Sequence, residues 1–382
     1  MKYQSHDFIF NTDDFRDANF VSGARYDADT LADGEVIIEV DRLALTANTI
    51  SYGVAGKSGL IRYLESFPAP QGYARMPFWG FGNIIASAHP ELSVDERLYG
   101  LYPPSTYLLT KMDKVTPTAC RDVTPCRGSI PAFYSEYARV AAEPSYNPAF
   151  DDMQSLLRPV ISTSFLLENY ISRHGFYGAR NIIITSASSK TAFGFGHFLV
   201  NNHADKCQAI GLTSAGNKAF VEKIGCYHQV LTYDEVGTLP HEPSVLFDMA
   251  GNGSVRGAIH HHLSAHIAYS GTVGATHWEA IGADDAALPG PRPVFWSGPD
   301  EVALLAKKSD DPAQMLDMIS ARVSGLMLEA AQWLSVTQFN SPQAIKDAYI
   351  DMLDSKMAAE QCIIFDLRGA RPSLTDAIWQ NA

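Results

Sequence analysis

The alternation of apolar runs with helical patterns between residues 181 and 275 is the feature that most constrains this fold. The apolar runs have the length of buried strands, and most are followed by a segment of helical periodicity. They occupy residues 181–185, 207–213, 229–233, 244–251 and 266–275. Strands that alternate with helices of this length form a parallel sheet with helices on both faces. The sequence therefore predicts a doubly wound α/β domain whose strand order remains open.

The first part of the chain has a different pattern, of short strands separated by turns. Residues 34–45 alternate apolar and polar side chains, as a half-buried strand does. Residues 77–102 are rich in glycine, and residues 129–143 form a further predicted strand region. These segments predict a small β barrel or sandwich.

The two patterns suggest two domains, of which one is split. A long helical stretch is predicted from about residue 300 to residue 334, and a helix and one final strand follow it. That last strand fits better in the β-rich domain. We therefore expect residues 1–150 together with 337–382 in the β-rich domain, and residues 151–336 in the parallel-sheet domain.

Composition argues against several classes of function. The chain has 382 residues, of which 46% are hydrophobic and 19% charged, as in a globular protein. Its formal net charge of −13 disfavours nucleic acid and anionic membranes as main partners, because both attract basic surfaces. No run of about 18 apolar residues exists, and the first residues lack the pattern of a signal peptide. The five cysteines lack zinc-site spacing, so we expect reduced thiols in a cytoplasmic protein.

The turn after the first parallel strand, "TSASSKTA", has two candidate interpretations as a phosphate site. A P-loop requires glycine before the lysine, whereas Ser189 precedes Lys190 here, and Ile184 stands at the first glycine position. A dinucleotide-binding turn asks only for small residues at three positions, which here are Ala187, Ser189 and Ala192. The dinucleotide interpretation is therefore the better one.

The same turn offers donors for a phosphate. Amides at a helix start, aided by the helix dipole, bind anions. Ser188, Ser189 and Thr191 add hydroxyl groups, and Lys190 adds a positive charge. An ordinary tight turn with hydroxyl capping accounts for these residues equally well. The turn alone leaves both hypotheses open.

The end of the next strand favours a particular nucleotide. An NAD site has an acidic residue there, whereas this sequence has Thr213, Ser214, Asn217 and Lys218. Hydroxyl groups and a lysine suit a 2′-phosphate. The alternative is a polar loop that caps the helix starting near Asn217. Together the two segments favour NADP(H) over an empty site.

Several segments then resemble the medium-chain dehydrogenase/reductase superfamily, in its zinc-free quinone-oxidoreductase-like branch. "GEVIIEVDRLALTANTISYG" is similar to an early strand and an Asn-containing loop, and "GFGNIIASAHPELSVDERLYG" to a glycine-rich strand pair. "FVEKIGCYHQVLTYDEV", "SVLFDMAGNGSV" and "YSGTVGA" resemble later strands and turns. "LTANTISYGV", "ITSASSKTAFG" and "GATHW" look like a subgroup catalogued only as a domain of unknown function. The resemblance implies a GroES-like β-rich substrate domain and a Rossmann-type dinucleotide-binding domain.

The resemblance also implies positions for the cofactor and argues against a metal. Zinc-dependent members carry a cysteine and a Gly-His-Glu where this chain has "LALTANT" and "FWGFGN", so no metal site is expected. The implied NADP(H) contacts follow the ends of the parallel strands. They are Ser186, Ala187, Ser188, Ser189, Lys190, Thr191, Thr213, Ser214, Lys218, Asp248, Met249, Ala250, Gly251, Gly271, Thr272, Val273, Gly274 and Phe295.

The simplest zinc-independent chemistry is hydride transfer from NADPH to an enone, an enoyl compound or a quinone. Tyr52 is the candidate proton donor, with Asn48 as its polar partner, although Tyr52 could equally pack its ring in a core. The alternative function is a non-catalytic protein of this fold that binds a nucleotide or another small ligand. Relatives in the branch imply a homodimer, for which "PVFWSG" offers an apolar edge.

Two histidine groups lie outside this scheme. His262 and His266 have the spacing of one helical face, which could hold a metal, although a solvated helix end is the simpler interpretation. His277 and Trp278 follow the fifth strand and could line a substrate pocket.

Overall fold

The chain folds into two compact units in the computed structural model, which describes residues 1–59, 61–143, 146–274, 287–308 and 312–369. One unit comprises Met1–Leu156 with Ser335–Ala382, and the other comprises Leu157–Leu334. The first unit is rich in strands, and the second combines a parallel sheet with helices.

The strands and helices are labelled in chain order. The strands are β1 (Lys2–Asn11), β2 (Ala18–Asp27), β3 (Glu35–Leu45), β4 (Tyr73–Ala74), β5 (Phe78–Ser87), β6 (Arg97–Tyr102), β7 (Tyr107–Asp113), β8 (Ala119–Asp122), β9 (Glu136–Arg139), β10 (Asn181–Ile184), β11 (Gln208–Thr213), β12 (Gln229–Thr232), β13 (Ser244–Asp248), β14 (Ile267–Thr272), β15 (Val294–Phe295), β16 (Ser335–Phe339) and β17 (Gln361–Asp366). The helices are α1 (Ala47–Ser58), α2 (Asp151–Arg173), α3 (Lys190–His203), α4 (Lys218–Ile224), α5 (Gly253–Leu263), α6 (Gly298–Lys308), α7 (Pro312–Ala330) and α8 (Pro342–Leu353).

The strand-rich unit is built on an eight-stranded sheet in the order β16-β17-β3-β5-β6-β9-β8-β7. An extra pairing of β3 with β7 closes six of these strands into a barrel. Its core contains fully buried aromatic side chains, among them Phe10, Phe78 and Phe365, each of which contributes roughly 1.5–3 kcal/mol by leaving water. The last strand, β17, lies antiparallel to β3.

Residues 129–143 are less regular than predicted. Only Glu136–Arg139 form a strand in this region, and 3₁₀ turns occupy Ala132–Ser135 and Val140–Ala142. Pro131 precedes the first of these turns and has no amide hydrogen to give to a strand ladder, which explains the short strand.

The segment after β3 also differs from the prediction. An Asn-containing loop was expected there, but Ala47–Ser58 form helix α1. Thr46 caps the helix through a reciprocal pair of hydrogen bonds with Thr49, and Gly59 ends it with a left-handed φ of 75°. The helix places Asn48 and Tyr52 one turn apart on the same face.

The second unit has a six-stranded parallel sheet in the order β12-β11-β10-β13-β14-β15. Counted from β10, this is the 3-2-1-4-5-6 order of the dinucleotide-binding Rossmann fold. The order reverses between β10 and β13, and ligands of such sheets bind at the carboxyl ends of the strands beside that reversal. Ile182, Ile183 and Ile184 are fully buried at its centre. The predicted fold class is confirmed.

Candidate nucleotide site and tyrosine cluster

The predicted phosphate turn lies at the reversal point of the parallel sheet. It connects β10 to α3, which begins at Lys190. Ser189 caps this helix, since its hydroxyl accepts from the amide of Ala192 at 3.3 Å. The first amides of a helix have no partner within the helix and carry the positive end of its dipole. The turn therefore places the positive end of the α3 dipole at the carboxyl edge of the parallel sheet.

Ala187 packs tightly although the turn lacks glycine. Its side chain is fully buried, its amide donates to the carbonyl of Leu212 at 2.9 Å, and its carbonyl accepts from the hydroxyl of Tyr227 at 2.9 Å. A Cβ added at Gly211 would lie 2.9 Å from the Cβ of Ala187. The glycine that allows this close approach is therefore on the neighbouring strand. Ser186 takes the left-handed conformation of the turn, with a φ of 50°.

The polar side chains of the turn lie at least partly exposed. Ser188, Ser189, Lys190 and Thr191 are half-buried. Asn217 donates from its side-chain amide to the hydroxyl of Ser188 at 3.1 Å. This hydrogen bond joins the turn directly to the segment after β11.

The segment after β11 contains the predicted 2′-phosphate residues. Thr213 is buried at the strand end, Ser214 is exposed, and Lys218 is half-buried at the start of α4. Lys218 Nζ forms an ion pair of 2.9 Å with Glu235 Oε2. The hydrogen bond that Lys218 donates to this carboxylate raises the pKa of the lysine, which therefore stays positively charged.

Glu235 is an acidic residue that the sequence did not point to at this place. It lies in the turn after β12, where its carboxylate accepts from the amide of Thr232 at 2.8 Å. This bond, followed by the bond from Lys218, lowers the pKa of Glu235 to about 2. The visible signal in the sequence is the Thr-x-x-Glu spacing of a capping box. Tyr233, beside it, places its hydroxyl 3.4 Å from the hydroxyl of Ser186.

Asp248 stabilises the turn after β13 from within the parallel-sheet unit. Its side chain is fully buried and forms an ion pair of 2.6 Å with Arg256. It also accepts from the hydroxyl of Thr185 at 3.0 Å and from the amide of Gly251 at 3.0 Å. Both carboxylate oxygens are thus used within the protein, and the side chain orients the turn of Met249, Ala250 and Gly251.

The segment after β14 lies close against that turn. Gly271 and Thr272 end the strand, and the amide of Val273 donates to the carbonyl of Asp248 at 2.9 Å. A Cβ at Gly274 would lie 2.3 Å from the carbonyl oxygen of Met249, so only glycine fits there.

Phe295 belongs to the edge strand β15, where it pairs with Thr272 and is 48% exposed. His277 and Trp278 lie outside the described residues.

Tyr52 lies in an aromatic cluster of the strand-rich unit. Its hydroxyl accepts from Asn48 Nδ2 at 2.8 Å and from Trp79 Nε1 at 2.7 Å. The residue is 6% exposed, and the centroid of its ring lies 4.6 Å from that of the Tyr63 ring.

 The tyrosine is therefore almost fully enclosed, and its hydroxyl is held from a helix and from a strand at once.

Burial dominates the acidity of Tyr52. It raises the pKa of this phenol well above its usual range, while the hydrogen bonds from Trp79 and Asn48 act in the opposite direction. The structure thus brings together the predicted pair, Tyr52 and Asn48, and adds Trp79, which the sequence did not single out. Trp79 lies in the "FWGFGN" segment, where zinc-dependent enzymes of the resembled superfamily carry a ligand.

His262 and His266 do not share a helical face, as a metal-binding pair on one helix would require. Helix α5 ends at Leu263, so His266 lies in the following 3₁₀ turn and not on the helical face of His262. Ser264 takes a left-handed φ of 47° at this point, which breaks the helical periodicity. Across the described ranges, we find no grouping of three or more His, Cys, Asp or Glu side chains that could hold a metal ion.

Residues 43–358 match the family described as "Protein of unknown function (DUF2855)". The chain belongs to this family. None of the curated proteins matches the sequence of this DUF2855 protein. In the described part of the chain, no helix has the length and apolar character needed to cross a membrane.

Solved structures resemble this DUF2855 protein in fold. CurA from Vibrio vulnificus in complex with NADPH is 12% identical, with a TM-score of 0.59, over 96% of this chain and 100% of that one. The mitochondrial 2-enoyl thioester reductase heterodimer Etr1p/Etr2p from Candida tropicalis is 11% identical, with a TM-score of 0.56, over 95% and 100%. The yhdH oxidoreductase from Salmonella enterica in complex with NADP is 11% identical, with a TM-score of 0.50, over 96% and 100%. The resemblance to medium-chain dehydrogenases/reductases is confirmed for the fold.

Proposed function

We propose that this DUF2855 protein is an NADPH-dependent oxidoreductase that reduces an activated double bond or a quinone without zinc. The observation that carries the proposal is the turn from β10 to α3 at the reversal point of the sheet. There the helix start, the half-buried hydroxyl groups and Lys218 offer donors of the type that bind phosphates.

The residues of the turn fit a dinucleotide. Ala187 packs against Gly211, so the turn is as tight as a glycine-containing one and leaves its outer face to a pyrophosphate. The phosphates would accept hydrogen bonds from the hydroxyl groups of Ser188, Ser189 and Thr191. Lys218 would bind the 2′-phosphate. The turn of Met249, Ala250 and Gly251, the segment Gly271–Gly274 and Phe295 would contact the nicotinamide half.

The ligands of the structural neighbours support the same cofactor. CurA and the yhdH oxidoreductase are described in complex with NADPH and NADP, and a structure of Etr1p contains NADP and crotonyl-CoA. Those ligands belong to those proteins. Their common fold with this chain makes NADP(H) the first cofactor to test and an enoyl compound the first substrate class.

The chemistry assigns a role to Tyr52. The cofactor, when bound, supplies a hydride. As the hydride reaches the substrate, the conjugated carbonyl oxygen gains negative charge, and the Tyr52 hydroxyl would donate a hydrogen bond to it. Asn48 holds this hydroxyl at 2.8 Å. No cysteine or histidine stands in "LALTANT" or "FWGFGN", which is why we propose a reaction without zinc.

An exposed sheet edge supports a homodimer. Val294 and Phe295 on the edge strand β15 are 52% and 48% exposed, and unpaired edges with apolar side chains associate readily. We propose that two copies pair along β15. Light scattering that shows a monomer would contradict this part. Five cysteines without disulfides agree with a proposed cytoplasmic location.

The test of function is turnover. Purified protein should oxidise NADPH in the presence of one or more members of a panel of enones, enoyl thioesters and quinones. Activity should survive a strong chelator and metal-free buffer, which tests zinc independence. Tight NADPH binding without turnover across the panel would favour the alternative, a non-catalytic nucleotide-binding protein of the same fold.

A further inference from the structure

Two N–H groups converge on the hydroxyl oxygen of Tyr52. Trp79 Nε1 lies 2.7 Å from it and Asn48 Nδ2 lies 2.8 Å from it. An indole N–H can only donate, so the tyrosine oxygen is the acceptor in the bond from Trp79. With two hydrogen bonds accepted, the group that Tyr52 has left to offer is its own proton.

We propose that Trp79 is a positioning residue that makes Tyr52 an obligate hydrogen-bond donor, so that the substrate must present an acceptor, a carbonyl oxygen. This inference rests on the function proposed above and narrows its substrate class. Enones, enoyl thioesters and quinones all carry such an oxygen, which becomes more negative as hydride arrives. An alcohol to be oxidised needs a group that takes its proton, and the Tyr52 oxygen is already occupied.

The packing of Trp79 fits a positioning role. The indole is 8% exposed and stacks on Tyr99 at 5.6 Å with an interplanar angle of 16°. It lies on β5, whereas Asn48 lies on α1, one turn before Tyr52. Asn48 moves with the helix that carries the tyrosine. Trp79 therefore supplies the bond that fixes the hydroxyl relative to the barrel.

The reaction balances with this arrangement. The substrate carbon would receive the hydride that a bound cofactor supplies, and the π electrons of the conjugated system would move to the carbonyl oxygen. Tyr52 donates a hydrogen bond to that oxygen, and a proton from water completes the product. Burial raises the pKa of Tyr52, which agrees with a phenol that keeps its proton while it donates.

A matched control lies in the same cluster. The ring of Tyr134 meets that of Tyr52 edge to face, at 6.0 Å. The hydroxyl of Tyr134 hydrogen-bonds with Tyr63, whereas the bonds to the Tyr52 oxygen come from Asn48 and Trp79. Tyr134→Phe therefore removes a buried hydroxyl from the cluster and leaves both hydrogen bonds to the Tyr52 oxygen in place.

The kinetic test uses Trp79→Phe, which keeps an aromatic ring and removes the N–H. On a carbonyl substrate that the wild type reduces, kcat should fall about tenfold while the Kd for NADPH stays unchanged. Because Trp79 acts through Tyr52, the double variant with Tyr52→Phe should be no slower than Tyr52→Phe alone. Tyr134→Phe should keep the wild-type kcat. If the losses in kcat of the two single variants multiply in the double variant while NADPH binding is intact, this inference is overturned and the proposed function still stands.

A spectroscopic test needs neither substrate nor cofactor. The chain has five tryptophans, so an ¹⁵N-labelled sample has five indole N–H groups to observe. Tyr52→Phe should move the Trp79 indole resonance upfield and speed its exchange with water, more than it moves the other four. Tyr134→Phe should leave that resonance in place. An unmoved Trp79 resonance in Tyr52→Phe would overturn the proposal even if Trp79→Phe fails to fold.

Discussion

Lys218 Nζ lies 2.9 Å from Glu235 Oε2, and the same carboxylate oxygen accepts from the amide and the hydroxyl of Thr232, at 2.8 and 3.1 Å. The carboxylate is thus anchored at the end of β12 whether or not the lysine is present. A 2′-phosphate bound by Lys218 would have to share the lysine with Glu235. If Lys218 binds the 2′-phosphate as proposed, Glu235 should therefore influence nucleotide preference.

Removal of the Glu235 charge should strengthen NADPH binding. Glu235→Gln keeps a side-chain oxygen that can accept from Thr232 but no longer repels a phosphate. We expect the Kd for NADPH to fall roughly threefold to tenfold, because the bound phosphate would no longer lie beside a charge of its own sign. Fluorescence titration measures the change, and NADH serves as the control that should stay the same. Weaker NADPH binding would instead mean that Glu235 helps by orienting Lys218.

Gly211 should be intolerant of a larger residue. A Cβ there would lie 2.9 Å from Ala187 Cβ and 2.9 Å from Tyr227 Cγ. We expect Gly211→Ala to destabilise the protein by about 1–3 kcal/mol through overpacking, as measured by urea denaturation. Adding Ala187→Gly should recover part of the loss, because it removes one of the two contacts. A Gly211→Ala variant as stable as the wild type would refute the packing argument.

Loss of the buried charge at Asp248 should be costly. The carboxylate is fully buried and pairs with Arg256 at 2.6 Å. Asp248→Asn removes one charge of a buried pair, and breaking such pairs typically costs about 3–5 kcal/mol. Urea denaturation should show this loss, with the exposed Asp205→Asn as a variant of unchanged stability. A change below about 1 kcal/mol would contradict the bracing role.

The pH dependence of turnover follows from the burial of Tyr52. A phenol donates while it is protonated, and burial raises its pKa well above the usual value of about 10. The neighbouring Tyr63 and Tyr134 have pKa values raised by burial as well. Tyr52 therefore stays protonated through about pH 10, so kcat should show no alkaline loss from its ionisation below that pH. A decline in kcat centred near pH 8 that vanishes in Tyr52→Phe would contradict this.

The sequence predicted the parallel-sheet domain because buried strands and helical segments alternate over residues 181–275. It could not predict the strand order, which depends on contacts between segments far apart in the chain. Glu235 escaped prediction for the same reason, since it reaches Lys218 from the end of the next strand. Trp79 escaped prediction in the same way, because it lies 27 residues after Tyr52 in the chain and on a separate element, β5.

Helix α1 was not predicted from the sequence, for a different reason. Its residues include Gly53, Gly56 and several β-branched side chains, which lower helix propensity. The resemblance to the superfamily had also implied a loop in this segment. The capping box of Thr46 and Thr49 and the packing of Ile50 into the barrel core favour the helix instead. Close packing explains the glycines, because a Cβ at Gly53 would lie 2.5 Å from Met76.

The affinity for the two nicotinamide nucleotides tests the central claim most directly. Titration of the wild type and of Lys218→Glu with NADPH and NADH, followed by nucleotide fluorescence, gives four dissociation constants. We expect the wild type to bind NADPH, and Lys218→Glu to weaken NADPH by about tenfold or more while NADH changes little. Failure of the wild type to bind either nucleotide at about 1 mM would contradict the account.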